Sequence, residues 1–179
     1  MTAAGSQGQL IQGRAWVFGD DVNTDDMYPG FAMRLPVSQA AQLMFNASRP
    51  DWPSRVRPGD IVVGGRNFGL GSSRPAAELF KELKVGALVA ERFNSLFYRN
   101  CVNYGLPALT VQHVREYVTE GDHLQLDIGQ ARLTNTSTGA EYEATPLPAF
   151  LRTILAAGGL VAQLTTAGLI RTHDAKTQP

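Results

Sequence analysis

The sequence predicts an α/β fold: a short parallel sheet with covering helices and an added antiparallel β layer. Three observations lead there. Between residues 60 and 111, short apolar runs alternate with stretches of helical spacing, which is the order of a parallel sheet. Beyond residue 112, apolar and polar residues alternate singly, as in half-buried antiparallel strands. The 179 residues suffice for one well-buried domain and are too few for two of ordinary size, so residues 1–179 are expected to form a single domain.

Residues 1–11 read as an N-terminal arm and 171–179, "RTHDAKTQP", as a tail. "RAWVF" (14–18) is a strand followed by the polar loop "GDDVNTDDMYPG". Residues 37–47 have helical spacing through Val37, Ala40, Ala41 and Met44. "SRPDWPSRVRPGD" carries three prolines and is expected to be an extended surface connection. "DIVVGG" (60–65) is a strand running into a glycine loop. Pro75 fits the first turn of the next helix, with Ser72 or Ser73 as cap and Ala77, Leu79, Phe80 and Leu83 as its apolar face. "ALVAE" (87–91) is a buried strand, 95–105 a helix ending on Gly105, and "LPALTV" another strand. The segment "DHLQLDIGQARLTNTSTGAEYEA" supplies the antiparallel strands, with Gly129 and Gly139 at turns. Two helices separated by Gly158 and Gly159 close the fold.

Hydrophobic content of 44% with 18% charged residues is that of a globular protein. Sixteen basic side chains balance sixteen acidic ones, so no net field favours nucleic acid or an anionic membrane. No apolar run is long enough for a membrane span, and the opening residues lack the pattern of a secretory leader, so a cytoplasmic location is expected. A single cysteine, Cys101, precludes an internal disulfide and any all-cysteine metal or cluster site held by this chain alone. His113, His123 and His173 share no metal-ligand spacing. Cys101, Phe97, Tyr98 and Tyr104 read as packing residues of one helix.

The stretch "GGRNFGLGSSRPAAELFKEL" (64–83) concentrates the chemistry. A strand feeding a glycine turn into a helix start exposes backbone N–H groups, and Gly69 and Gly71 permit close approach of a bound group. Arg74 adds a planar fork suited to a carboxylate or phosphate. Two readings stand at this point: an anion cradle containing a hydroxyl, or a polar helix-capping turn. The nucleotide-binding G-x-x-x-x-G-K-[ST] and the hydrolase G-x-S-x-G patterns are both absent.

"NFGLGSSR", followed by "GALVAERFNSLFYRNCVNYGLPAL" and preceded by "GDDVNTDDMYPG", resembles the small subunits of 3-isopropylmalate dehydratase, the swivelling domain of the aconitase superfamily. The likeness runs over roughly residues 12 to 125 with three motifs in order. It implies a swivelling β/β/α domain and a hydro-lyase acting on hydroxy di- or tricarboxylic acids. The [4Fe–4S] cluster would be carried by a partner large subunit, and no cofactor would be bound by this chain. It implies Ser72 as the base and Asp25 as a second catalytic residue. Arg74, Arg34, Ser73, Asn67 and Gly71 would bind substrate, and Ala32, Met33 and Leu35 would flank Arg34 in a substrate-selecting loop. A serine hydroxyl becomes a usable base only where N–H dipoles and a guanidinium stabilise its anion.

The family's SSR-Glu-His-Ala is "SSRPAA" here, with Pro75 and Ala76 in place of the acid and histidine. "FAMRLP" also differs from the "YLRT"-like loop of isopropylmalate specialists. Related acids of homoaconitate, methylmalate or dimethylmalate type are therefore alternative substrates, and a non-catalytic carboxylate- or phosphate-binding module is the alternative class. Read without the resemblance, Asp25 and Asp26 cap a turn with Asn23 and Thr24, and Arg34 is a solvated surface arginine.

Overall fold

Seven strands form one sheet in the computed structural model, which describes residues 9–71 and 74–170. In chain order these are β1 (Leu10–Val17), β2 (Ile61–Gly64), β3 (Ala87–Ala90), β4 (Ala108–Thr110), β5 (His123–Asp127), β6 (Arg132–Asn135) and β7 (Ala140–Glu143). Their order across the sheet is β4-β3-β2-β1-β5-β6-β7. The first four strands pair in parallel, with Ala15 beside Ile61 and Val63 beside Val89. The last three are antiparallel and join through β1, where Leu10 faces Asp127 and Arg14 faces His123. The added β portion therefore continues the parallel sheet edge to edge. Leu10 and Ile11, expected in the arm, open β1, and Ile11 is buried. Residues 1–8 and the expected tail, 171–179, lie outside the described residues.

Side-chain alternation divides the core between the two faces. Trp16, Val62, Leu88 and Ala90 look to one cluster, and Ala15, Ile61, Val63, Ala87 and Val89 to the other. β2 and β3 are buried at every position, as strands covered on both faces must be, which is why they read as continuous apolar runs. β5 and β6 alternate instead. Their Leu124, Leu126 and Leu133 close over the second cluster together with Leu155.

The first face is covered by α1 (Thr24–Met27), α2 (Val37–Ala41), α3 (Trp52–Arg55), α4 (Ala76–Glu82) and α5 (Ser95–Asn103). On the other side lie α6 (Val114–Tyr117) and α7 (Ala149–Ala156), and α8 (Leu160–Thr166) follows α7 after an 85° bend at the glycine pair. Among the described residues no single helix is long and apolar enough to cross a membrane.

Two local expectations are corrected. The helix of 37–47 ends at Ala41 and continues as turns, because Phe45 adopts φ +56°, donates its N–H to the Asp26 carbonyl and turns its ring into the core. The proline-rich connection is not wholly extended or at the surface: it carries α3, and Trp52 is 1% exposed. The Trp52 ring stands 5.2 Å from Phe45 and 5.9 Å from both Phe18 and Phe80. Contacts of this edge-to-face kind contribute about 0.5–1.5 kcal/mol each beyond burial, and the proline spacing did not reveal them. The aromatic series continues from Phe80 to Phe97 to Phe68, a residue of the glycine loop, and on to Phe93.

Candidate active site

The loops after β1 and β2 leave the same, carboxyl end of the parallel strands and run side by side. The Gly69 and Leu70 N–H groups donate to the Val22 carbonyl at 2.8 and 3.0 Å, and the Thr24 N–H donates to Leu70 at 2.7 Å. Asn67, in the left-handed region at φ +55°, donates from Nδ2 to Asp21 Oδ1 at 2.9 Å. These bonds differ from the free cradle of N–H groups expected of the loop, since two of its amides are committed to the neighbouring loop.

The glycines explain themselves in the same terms. Gly69 has φ +87°, and a Cβ there would lie 2.3 Å from the Phe97 ring. Gly71 has φ +109°, and a Cβ there would lie 2.5 Å from Asn23 Oδ1. Both positions exclude side chains because the loop is pressed onto α5 on one side and onto α1 on the other.

Asn23 caps α1, its Oδ1 accepting from the Asp25 N–H at 2.8 Å. That cap turns Asp25 outward, with its side chain 52% exposed, to pair with Arg74 at 3.2 Å between Oδ1 and Nε. Arg74 also donates from Nη1 to the Tyr28 carbonyl at 2.8 Å. Two residues nearly fifty positions apart are thus brought together: Asp25 and Arg74 share one corner of the fold. Gly30 abuts the same guanidinium, its missing Cβ falling 3.5 Å from Nη2, and opens the 3-10 turn Gly30–Arg34.

Arg34, Met33 and Leu35 are exposed on that turn, as a selecting loop requires, but Ala32 is fully buried in the first core cluster and cannot touch a ligand directly. Phe31, which sequence reasoning passed over, is 62% exposed beside them. Ser72 and Ser73 lie outside the described residues. Pro75 takes the cap position of α4 itself, in place of the expected Ser72 or Ser73, and the helix begins at Ala76. Ala76 is buried, and the Ala77 N–H is satisfied by Asn100 Oδ1 at 3.1 Å. α4 spans only seven residues, so its dipole is a minor source of field.

An open depression of about 470 Å³ borders Asp25, lined also by Asn23, Asp26, Pro29, Phe31 and Ser48. Asp26 accepts there from Ser48 Oγ. Neither Arg74, Asn67 nor Arg34 lines it. A larger cavity of about 800 Å³ between α5 and α8 contains none of the predicted site residues. Cys101 is buried and its thiol is pushed far above the ordinary range by burial, so it packs as expected.

Residues 37–114 match the Aconitase C-terminal domain family. The chain is 40% identical over 157 residues to the isopropylmalate/citramalate isomerase small subunit of Methanocaldococcus jannaschii, covering 87% of this chain and 94% of that one. It is 41% identical over 162 residues to 3-isopropylmalate dehydratase small subunit 1 of Thermotoga maritima, covering 89% and 97%. The chain belongs to the 3-isopropylmalate dehydratase small-subunit family. Its architecture agrees: the crystal structure of a 3-isopropylmalate dehydratase from Methanocaldococcus jannaschii superposes with a TM-score of 0.85 at 34% identity, covering 90% of this chain and 96% of that chain.

The Aconitase C-terminal domain match takes in the glycine loop, Asn67, Gly71, Ser72, Ser73 and Arg74, but begins after the loop that carries Asp25 and Arg34. What sequence reading missed within this family member is the second loop's contribution: Asp20, Asp21 and the Tyr28 carbonyl. The cluster "GDDVN" was the available signal, but its partners sit 46 residues away and no local spacing announces them.

Proposed function

We propose that this chain is the small subunit of a hydro-lyase of the 3-isopropylmalate dehydratase type, completing an active site shared with a large subunit. The observation that carries the reading is the Arg74–Asp25 corner, set on the carboxyl ends of β1 and β2 beside the loop leading to Ser72. In this reading Arg74 is oriented by Tyr28 and Asp25. Its Nη2, which makes no hydrogen bond among the described residues, is left for a substrate carboxylate. Ser72 removes the proton from the carbon beside that carboxylate and returns it on rehydration. The hydroxyl of the neighbouring carbon leaves as water with a second proton given by an acid of the shared site. On rehydration water returns that proton to the acid and its hydroxyl adds to the other carbon, while Ser72 gives back the first proton. Asp25 moves or holds a proton at its Oδ atoms, and Arg34 with Met33 and Leu35 meets the substituent that distinguishes one acid from another.

The residues of this chain do not fit a [4Fe–4S] cluster. The one thiol is Cys101, buried within α5, and the described residues hold no group of three His, Cys, Asp or Glu placed for a metal. The cluster is therefore assigned to the large subunit. The exposed apolar side chains Phe31, Met33, Leu35 and Leu96 flank the two loops and suit a partner surface there. The name of the Methanocaldococcus relative joins isopropylmalate with citramalate, which favours a panel of substituted malates over a single acid.

The test is reconstitution with a cluster-bearing large subunit, assayed on that panel with wild type and Ser72→Ala. The expected result is turnover only with both chains present, and loss of about 10²–10⁴-fold in Ser72→Ala. Activity of Ser72→Ala within a few-fold of wild type would overturn the assignment.

A further inference from the structure

We propose that Asp20 is a positioning residue for the glycine loop, fixing the register in which residues 19–24 and 65–71 lie together. It does so at a junction of three elements. Asp20 Oδ1 accepts from the Arg66 N–H at 2.8 Å and from Arg115 Nη1 at 2.7 Å, and Oδ2 accepts from Arg66 Nη2 at 2.9 Å. Arg66 follows β2, Arg115 belongs to α6, and Asp20 follows β1. Gly65 leaves the room for this: a Cβ there would lie 2.0 Å from Asp20 Oδ1 and 2.7 Å from Arg115 Nη1.

Everything beyond the junction depends on its register. Gly65 N–H donates to Gly19 at 3.0 Å, Asp21 N–H to Arg66 at 2.8 Å, and the bonds of Asn67, Gly69, Leu70 and Thr24 follow in order. Asp21 and Asn67 both occupy the left-handed region, at φ +53° and +55°. Two adjacent non-glycine residues of that kind persist only where their surroundings over-determine them, and the clamped carboxylate does so from the root of the pairing. A one-residue slip would carry Asn67 away from Asp21 and move the segment that runs on to Ser72 and Arg74. Asp20 touches no reacting group itself. The inference rests on the proposed function only where turnover is read.

Two measurements test it. In the isolated chain, amide hydrogen exchange of Asp21, Thr24, Gly65, Gly69 and Leu70 is compared among wild type, Asp20→Asn, Gly65→Ala, Arg115→Gln and Arg115→Lys. Asp20→Asn and Gly65→Ala should speed exchange at these amides by about tenfold or more, while the amides of β2 and β3 are unchanged. Arg115→Lys, which keeps the charge and a long-reaching donor for the single Oδ1 contact, should stay near wild type, whereas Arg115→Gln, neutral and shorter, should not. In the reconstituted complex at saturating large subunit, kcat of Asp20→Asn should fall by about 10–10²-fold with KM within a few-fold, since small misplacements cost that much.

Unchanged exchange overturns the proposal, and so does acceleration spread evenly to β2 and β3, which would mark a purely global loss of stability. Faster loop exchange with wild-type kcat overturns it as well. If the wild-type complex fails to turn over, or Ser72→Ala matches it, the functional reading has failed instead, and the exchange pattern still decides the role of Asp20.

Discussion

Gly71→Ala tests how tightly the two loops are joined. The added methyl would lie 2.5 Å from Asn23 Oδ1 and 3.2 Å from Thr24 Oγ1, at a backbone φ of +109°. Holding an L-residue on the left-handed side costs about 1–2 kcal/mol. The displaced Asn23 loses its bond to the Asp25 N–H, and losing such a cap costs about 0.5–2 kcal/mol. Together these give about 1.5–4 kcal/mol, or a fall in Tm of about 3–16 °C for a chain of this size. Asn23→Ala removes the cap without the strain, so it should lower Tm by only about 1–8 °C. Thermal denaturation by circular dichroism reads both. In the reconstituted complex, Gly71→Ala should also lower kcat/KM by about 10²-fold, because Asp25 is aimed by the cap that the methyl displaces. A Tm within about 2 °C of wild type would refute the contact between the loops. A lowered Tm with unchanged kcat/KM would remove Asp25 from the working geometry.

Two further outcomes are expected. Arg74→Lys should lower kcat/KM by about 10–10²-fold, the worth of one charge-assisted hydrogen bond. An ammonium cannot serve Asp25, the Tyr28 carbonyl and a substrate together, and steady-state kinetics at saturating partner would show whether it does. The Asp20 carboxyl is held down to about 2 by the Arg66 N–H and guanidinium and by the charges of Arg66 and Arg115. Its folded value lies below the ordinary 3.8, so its contribution to stability is present above about pH 4 and is lost as pH falls towards 2. Denaturation across that window should therefore show a shallower acid limb in Asp20→Asn than in wild type, and an unchanged limb would contradict the shift.

The parallel strands and their helices were legible because their signals are local. β2 and β3 are apolar at every position, α5 is opened by Asn94 and followed by Gly105, and the glycine pair bends the C-terminal helices where expected. α2 and α3 were misread because the deciding partners are distant in sequence. Phe45 is turned inward by Phe18, Trp52 and Phe80, and three prolines masked one buried tryptophan. The candidate site could be read from the sequence as motifs but not as geometry. Asn67, Asp25, Arg74 and Arg34 could be named from their motifs, yet nothing in either motif says that Asp25 would pair with Arg74 or that Asn67 would be held by Asp21. Ala32 shows the reverse limit: a residue inside the right loop can still face the core.

The glycine loop also changes the physical account of how a serine could act as a base here. The expected source of anion stabilisation was a row of free N–H groups at a helix start. Gly69 and Leu70 instead donate to Val22, Ala77 is served by Asn100, and α4 is short. The principal positive charge beside the loop is Arg74, and it is shared with Asp25. Under the proposed function the described residues therefore offer an alkoxide a shared guanidinium and few free N–H groups. A substrate carboxylate would add further negative charge at the same guanidinium. What the described residues contribute is placement: two loops locked into one body, with the Asp25 carboxylate and the Arg74 guanidinium held together at one corner.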